Sequence, residues 1–371
     1  MTQQTGKRAY PRDDLRALEG YHSPQVDVAV RLNTNESPYA PPPEFVARCT
    51  EQLAAIAWHR YPDRGAHDLR DALGAFLGQA PERLLCANGS NEVLQTLLLT
   101  YGGAGRRALL FEPTYALHAQ IARTTATEIV TGERAADYTI DADDASALMR
   151  KTQPSIAFVC SPNNPTGTVE RPETVEQLLD AASDVGALLV VDEAYGEFAP
   201  WSALELISDD RPLVVVRTYS KVWSLAAVRL GFAVAPTWVI EELEKVLLPY
   251  TLSVPTQVAG TVALEFRREM EQRVASLVEE RGRLFAALSE RVGLEVVPSG
   301  ANFLLVRVAG DAHELWERLL ARGVLVRDFS SWPRVEGCLR ITVGTPAEND
   351  AFLGALDAVL PSQAETGGPD A

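Results

Sequence analysis

Cysteine, histidine, long apolar runs and positive charge are all scarce in this 371-residue chain, and each shortage removes a class of function. The four cysteines, Cys49, Cys86, Cys160 and Cys338, lie far apart and in no paired spacing. That excludes a disulfide framework or zinc ribbon and points to reduced thiols in or near the core. The five histidines, His22, His59, His67, His118 and His313, form no His-x-x-x-His pair and no cluster with cysteine, so no metal site is expected. No run approaches the roughly 20 apolar residues that cross a bilayer, and Met1–Tyr10 lacks the apolar core of a secretory signal. The expectation is a cytoplasmic protein without membrane contact. Lys and Arg number 34 against 50 Asp and Glu, a formal charge of -16. Such a balance opposes nucleic acid and anionic lipid as partners but leaves room for a local basic pocket holding one small phosphate. Neither a P-loop, a Gly-x-Gly-x-x-Gly fingerprint nor an internal repeat is present.

What is there is the texture of an α/β protein. From about Arg83 to Ala235 short aliphatic runs alternate with amphipathic stretches, as expected when helices cover both faces of a mostly parallel sheet. The spacing predicts seven strands, at Arg83–Ala87, Ala108–Glu112, Glu128–Thr131, Ser155–Cys160, Ala187–Asp192, Leu213–Thr218 and Gly231–Ala235. Beyond Pro255 a charged helical stretch, about Thr256–Glu290, is expected to bridge two lobes. Four strands and two helices of a smaller α+β unit follow, over residues 256–360 with that helix included. The expected organisation is an arm over residues 1–30 that packs near the small unit, a large domain over 31–255, the small domain over 256–360 and a disordered tail over 361–371.

Three segments carry chemistry: Ser161–Gly167 (Ser-Pro-Asn-Asn-Pro-Thr-Gly), Val191–Tyr195 (Val-Asp-Glu-Ala-Tyr) and Thr218–Lys221 (Thr-Tyr-Ser-Lys). Each follows or closes a predicted strand, where ligands collect in such sheets. A lysine is a strong nucleophile only when neutral, so Lys221 in a partly desolvated pocket suits imine formation with an aldehyde. The neighbouring groups are those that pyridoxal phosphate needs. Asp192 suits the pyridine nitrogen, keeping it protonated and making the ring an electron sink. Glu193 faces the other way if the strand continues. Asn164 and Tyr195 suit the phenolic oxygen, and Tyr115 suits the ring face. Gly89 and Ser90, between a strand and a helix, suit the phosphate, with Ser220 and Arg229 as further donors. Taken singly, Asn164-Pro165-Thr166-Gly167 is a common turn, Arg229 a surface charge and Tyr115 a buried helix-start tyrosine. Their occurrence together with Asp192 and Lys221 reverses that weighting.

With Arg229-Leu230-Gly231 and Cys338–Gly344, these segments resemble the fold-type I, pyridoxal phosphate-dependent aminotransferases, over about Arg31 to Leu360. Leu32–Pro38, Arg60–Asp63, Ala87–Glu92 and Leu248-Pro249-Tyr250 are similar to the histidinol-phosphate group among them. The resemblance implies that Lys221 binds the cofactor and shuttles the substrate proton. It also implies a homodimer in which Tyr61 reaches the phosphate of the neighbouring subunit. Arg340 and Arg327 would bind the carboxylate of glutamate or 2-oxoglutarate and the phosphate of histidinol phosphate. Tyr21, Asn91 and Tyr250 would shape the substrate side. The implied reaction exchanges an amino group between L-histidinol phosphate and 2-oxoglutarate in histidine biosynthesis. An aromatic amino acid aminotransferase or a phosphothreonine decarboxylase would keep the same cofactor motifs. A non-catalytic regulatory protein on this scaffold is the third alternative, although the roughly thirty residues before Arg31 are too few for a separate binding module.

Overall fold

The apolar runs between residues 84 and 234 become one seven-stranded sheet. In the computed structural model, which describes residues 9–16, 18, 20 and 26–360, its order is β2 (Leu84–Ala87), β8 (Gly231–Val234), β7 (Leu213–Thr218), β6 (Leu188–Asp192), β5 (Ile156–Cys160), β3 (Arg107–Glu112) and β4 (Glu128–Glu133). Only β8 runs against its neighbours; the other pairings are parallel. Strands β5, β6 and β7 are buried along their whole length, because helices cover both faces. Side chains alternate between those faces with the period of two that a strand imposes. Val190 joins a layer with α3 (Ser90–Tyr101), α4 (Ala116–Thr124) and α7 (Thr237–Val246). Leu189 and Val191 join the opposite layer with α5 (Ala142–Thr152) and α6 (Pro172–Val185).

A second sheet of five strands, in the order β1 (Val30–Leu32), β11 (Val324–Asp328), β12 (Cys338–Thr342), β10 (Phe303–Val308) and β9 (Leu294–Val296), forms the smaller unit with α10 (Ala312–Ala321) and α11 (Pro346–Asp357). Strand β1 lies at the boundary drawn at residue 31, and it pairs parallel to β11 with Val30 opposite Val324. The chain therefore contributes a strand to the small sheet before α1 (Pro43–Ala54) and α2 (His67–Leu77) return it to the large one. That crossing carries residues 33–36 along the seam between the two sheets.

The single bridging helix expected from about Thr256 to Glu290 is instead two, α8 (Val254–Glu265) and α9 (Arg267–Ser289), with Phe266 between them at φ -102°, ψ 22°. Their surroundings differ. Helix α8 is rich in Val, Ala and Gly and packs on α1 and α2, whereas α9 is charged and buries only the stripe Met270, Leu277, Leu284 and Leu288. Phe266 turns its ring edge-on to Phe45 of α1, 6.0 Å between centroids. The tail expected over residues 361–371 lies outside the described residues.

Candidate active site

The strand ends converge. Asp192 closes β6, while Asn164, Lys221 and Tyr115 stand a few residues beyond the ends of β5, β7 and β3. With Ser90, Asn91, Tyr195, Ser220, Arg229 and Arg340 they line one cavity of about 400 Å³. Gly89 caps the helix that carries Ser90. Arg327 stands opposite Arg340 on the neighbouring strand and lines a small annex with Tyr115, Phe329 and Trp332. Tyr61 and Tyr250 are outside the cavity, exposed and stacked on each other with centroids 4.6 Å apart. Tyr21 lies outside the described residues.

Lys221 has few options for its charge. Its Nζ donates to the Thr34 carbonyl at 2.9 Å and lies 5.8 Å from the Tyr195 ring centroid. Burial, reinforced by the cations of Arg340 and Arg229 and opposed by Glu36, pulls its pKa from 10.5 down to about 8. A substantial neutral fraction near physiological pH is what a nucleophilic amine needs.

Asp192 and Glu193 occupy opposite sides of the strand end, as the alternation requires. The Asp192 carboxylate accepts from the Ala194 amide at 3.1 Å and meets His118 Nε2 at 2.9 Å. An ionised carboxylate only accepts, so Nε2 carries the proton. His118 is wholly buried, stacked on Phe158 at 5.0 Å and edge-on to Tyr115 at 5.5 Å. Glu193 is tied away from the cavity by Arg217 (2.8 and 3.1 Å), Ser202 (2.7 Å) and the Ala203 amide (2.6 Å). His118 is a site residue that the sequence reading passed over as one of five isolated histidines. Its signal was its place three residues after Tyr115, the same helix face in the first turn of α4.

Arg340 knits the two sheets together at the cavity floor. Its guanidinium donates to Asn164 Oδ1 at 2.5 Å and to the Asn33 carbonyl at 2.9 Å, between the rings of Phe303 and Phe329. Engaging the Asn164 oxygen leaves its NH₂ as the donor, the orientation a phenolate oxygen requires. Tyr195 is 4% exposed, and burial pushes its phenol up to about 12, opposed by Arg340 and by the hydrogen bond from Asn35. It therefore remains a hydroxyl donor throughout the physiological range.

The phosphate end is built from backbone. Gly89 adopts φ 84° at the start of α3, which has no side-chain cap, so its first amides are available to an anion. A Cβ on Gly89 would meet Arg229 Nη2 at 2.7 Å, and one on Gly231 would meet the Ser90 nitrogen at 2.2 Å. At Gly231 the clash is with backbone and only glycine permits the approach, while at Gly89 the positive φ is what favours glycine. Arg229 itself is left-handed at φ 58°, a conformation costing about 1–2 kcal/mol, and its Nη1 lies 3.4 Å from Ser220 Oγ. Strain of this kind is stored where a side chain must be aimed.

A half-buried amine of lowered pKa, a carboxylate held by a histidine, two phenolate donors and a glycine-lined anion cradle in one cavity fit pyridoxal phosphate. Comparison with known proteins agrees with that chemistry. The histidinol-phosphate aminotransferase of Paenarthrobacter aurescens is 43% identical over 356 residues, 94% of each chain. That of Streptomyces avermitilis is 46% identical over 355 residues, 93% of this chain and 95% of its own. Among solved structures, histidinol-phosphate aminotransferase from Sinorhizobium meliloti in complex with pyridoxal-5'-phosphate superimposes with a TM-score of 0.86 at 24% identity, covering 95% of this chain and 99% of that one. Residues 27–356 match the family Aminotransferase class I and II, and to that family this chain belongs.

Proposed function

We propose that the chain is a pyridoxal phosphate-dependent transaminase that moves an amino group from glutamate to imidazole acetol phosphate, giving L-histidinol phosphate and 2-oxoglutarate in histidine biosynthesis. Transamination is supported above all by Lys221, half-buried and lowered to about 8 in a cavity shared with Asp192 and Arg340. The substrate is supported by relatives of that activity at 43–46% identity over nearly the whole chain.

When bound, the cofactor supplies an aldehyde to capture an amine and a ring that withdraws electrons from the amine's carbon. Lys221 Nζ would hold it and, once freed, would take the proton from the substrate α-carbon. Asp192, fixed by His118 and the Ala194 amide, presents negative charge to the ring nitrogen. Asn164 and Tyr195 direct donors at the phenolic oxygen, and Ser90, Ser220 and Arg229 hold the phosphate. Arg340 and Arg327 take the anionic groups of the two substrates, for which planar guanidinium forks are suited.

A cytoplasmic homodimer belongs to the same proposal. Tyr61 is 80% exposed, and with Trp58, Leu248 and Tyr250 it leaves aromatic and apolar surface in water, suited to burial against a second copy. Among the described residues no helix is long and apolar enough to cross a membrane.

The test is a half-reaction screen of the loaded protein, followed by absorbance, with light scattering on the same preparation. L-histidinol phosphate and glutamate should convert the cofactor, phenylalanine at least about tenfold more slowly, consistent with the 1–3 kcal/mol that pocket walls discriminate. Preference for phenylalanine, release of CO₂ from phosphothreonine, or a one-chain mass would contradict it.

A further inference from the structure

Asn35 belongs to no strand of the large sheet, yet it lines the same cavity. It lies on the seam between β1 and α1, 1% exposed and in the left-handed region at φ 54°, which asparagine tolerates better than most residues. Its Nδ2 donates to Tyr195 Oη at 3.0 Å. Its own amide N–H donates to Thr342 Oγ1 at 3.0 Å, and the Thr342 hydroxyl lies 2.9 Å from Asn35 Oδ1. Asn302 Nδ2 holds the Asn35 carbonyl at 3.1 Å.

As these bonds are placed, the protons run one way: the Thr342 hydroxyl donates to Asn35 Oδ1, and the Asn35 carboxamide turns its NH₂ toward the phenol. Receiving a donor, Tyr195 is left to send its own O–H elsewhere, and both residues line the cavity. Thr342 stands two residues from Arg340 on β12, on the same face of the strand, so the relay starts beside the arginine that holds Asn33 and Asn164.

We propose that Asn35 is a positioning residue that sets the direction of the Tyr195 hydroxyl and thereby controls hydrogen-bond donation to the cofactor's phenolic oxygen. Because Thr342 ends β12 and Asn302 immediately precedes β10, the relay also ties that donation to the arrangement of those two strands of the small sheet. The inference rests on the reading of the cavity as a pyridoxal phosphate site.

The experiment is a pH titration of the visible absorbance of the loaded protein, with melting temperatures recorded alongside. Asn35→Asp keeps the shape and the tolerance of a left-handed backbone but replaces the donor with an acceptor, toward which Tyr195 then turns its proton. Tyr195→Phe removes the hydroxyl. Each should raise the pH midpoint by about one unit, since losing a donor to the phenolate strengthens the basicity of the adjacent imine nitrogen. Thr342→Val, nearly isosteric, unlocks the amide and should raise it by less. In a Tyr195→Phe background, neither Asn35→Asp nor Thr342→Val should add to the shift. An equal shift in that background would mean that buried charge alone acts, and would overturn the inference. Unshifted midpoints in folded Asn35→Asp and Thr342→Val would overturn it too. Failure of the wild-type protein to develop any visible chromophore with pyridoxal phosphate would instead defeat the reading of the cavity.

Discussion

Asp192 and Glu193 are neighbouring carboxylates, both almost wholly buried, with opposite circumstances. Glu193 is saturated: an arginine, a hydroxyl and a backbone amide all donate to it, and Arg217 is shared further with Glu197 at 3.7 Å. The Asp192 side chain has one histidine and one amide, and Asp192 lines the cavity. The difference teaches how to read buried charge in this molecule. A charge whose partners are all supplied by the chain belongs to the scaffold, as the wholly buried pair Arg134 and Glu170 also do. Where a charge meets the cavity with lone pairs to spare, it is built for a ligand.

Breaking each carboxylate should therefore fail in a different way. Glu193→Gln strips Arg217 of its closest counter-charge and should cost about 3–5 kcal/mol of unfolding free energy, with turnover retained in the folded fraction. Asp192→Asn should change stability by only about 1–2 kcal/mol, since an amide oxygen still accepts, while turnover falls about 10²–10³-fold. Denaturant melts and steady-state rates on the same preparations separate the two; similar profiles for both variants would erase the distinction.

A smaller effect sharpens the comparison from the cationic side. Lys221 loses its proton as pH rises through about 8, so capture of pyridoxal phosphate by the cofactor-free protein should accelerate roughly 20-fold between pH 6.5 and pH 8.5 and then level off. A lysine at its ordinary value would go on accelerating about tenfold per unit up to pH 10. Stopped-flow absorbance follows the reaction directly.

Much of this was legible in the sequence because the large sheet places chemistry at strand ends, and strand ends are visible as the points where aliphatic runs stop. Asp192 ends Leu-Leu-Val-Val, and Lys221 follows Leu-Val-Val-Val-Arg-Thr after a two-residue turn. The seam was not legible. Asn35 gains its role from Tyr195 and Thr342, 160 and 307 positions further along the chain, and no local periodicity announces such contacts. The break at Phe266 escaped for a related reason: Phe is an acceptable helix residue, so the local sequence does not mark the interruption. The recruitment of β1 into the small sheet was likewise hidden, because three residues are too short a run to show which sheet they complete.

The central claim is that one lysine in one cavity carries the reaction. The chain contains only four, Lys7, Lys151, Lys221 and Lys245. Borohydride reduction of the loaded protein followed by peptide mapping distinguishes them: the cofactor should be fixed to the peptide bearing Lys221, and a label on Lys7, Lys151 or Lys245, or on no lysine, would contradict the assignment.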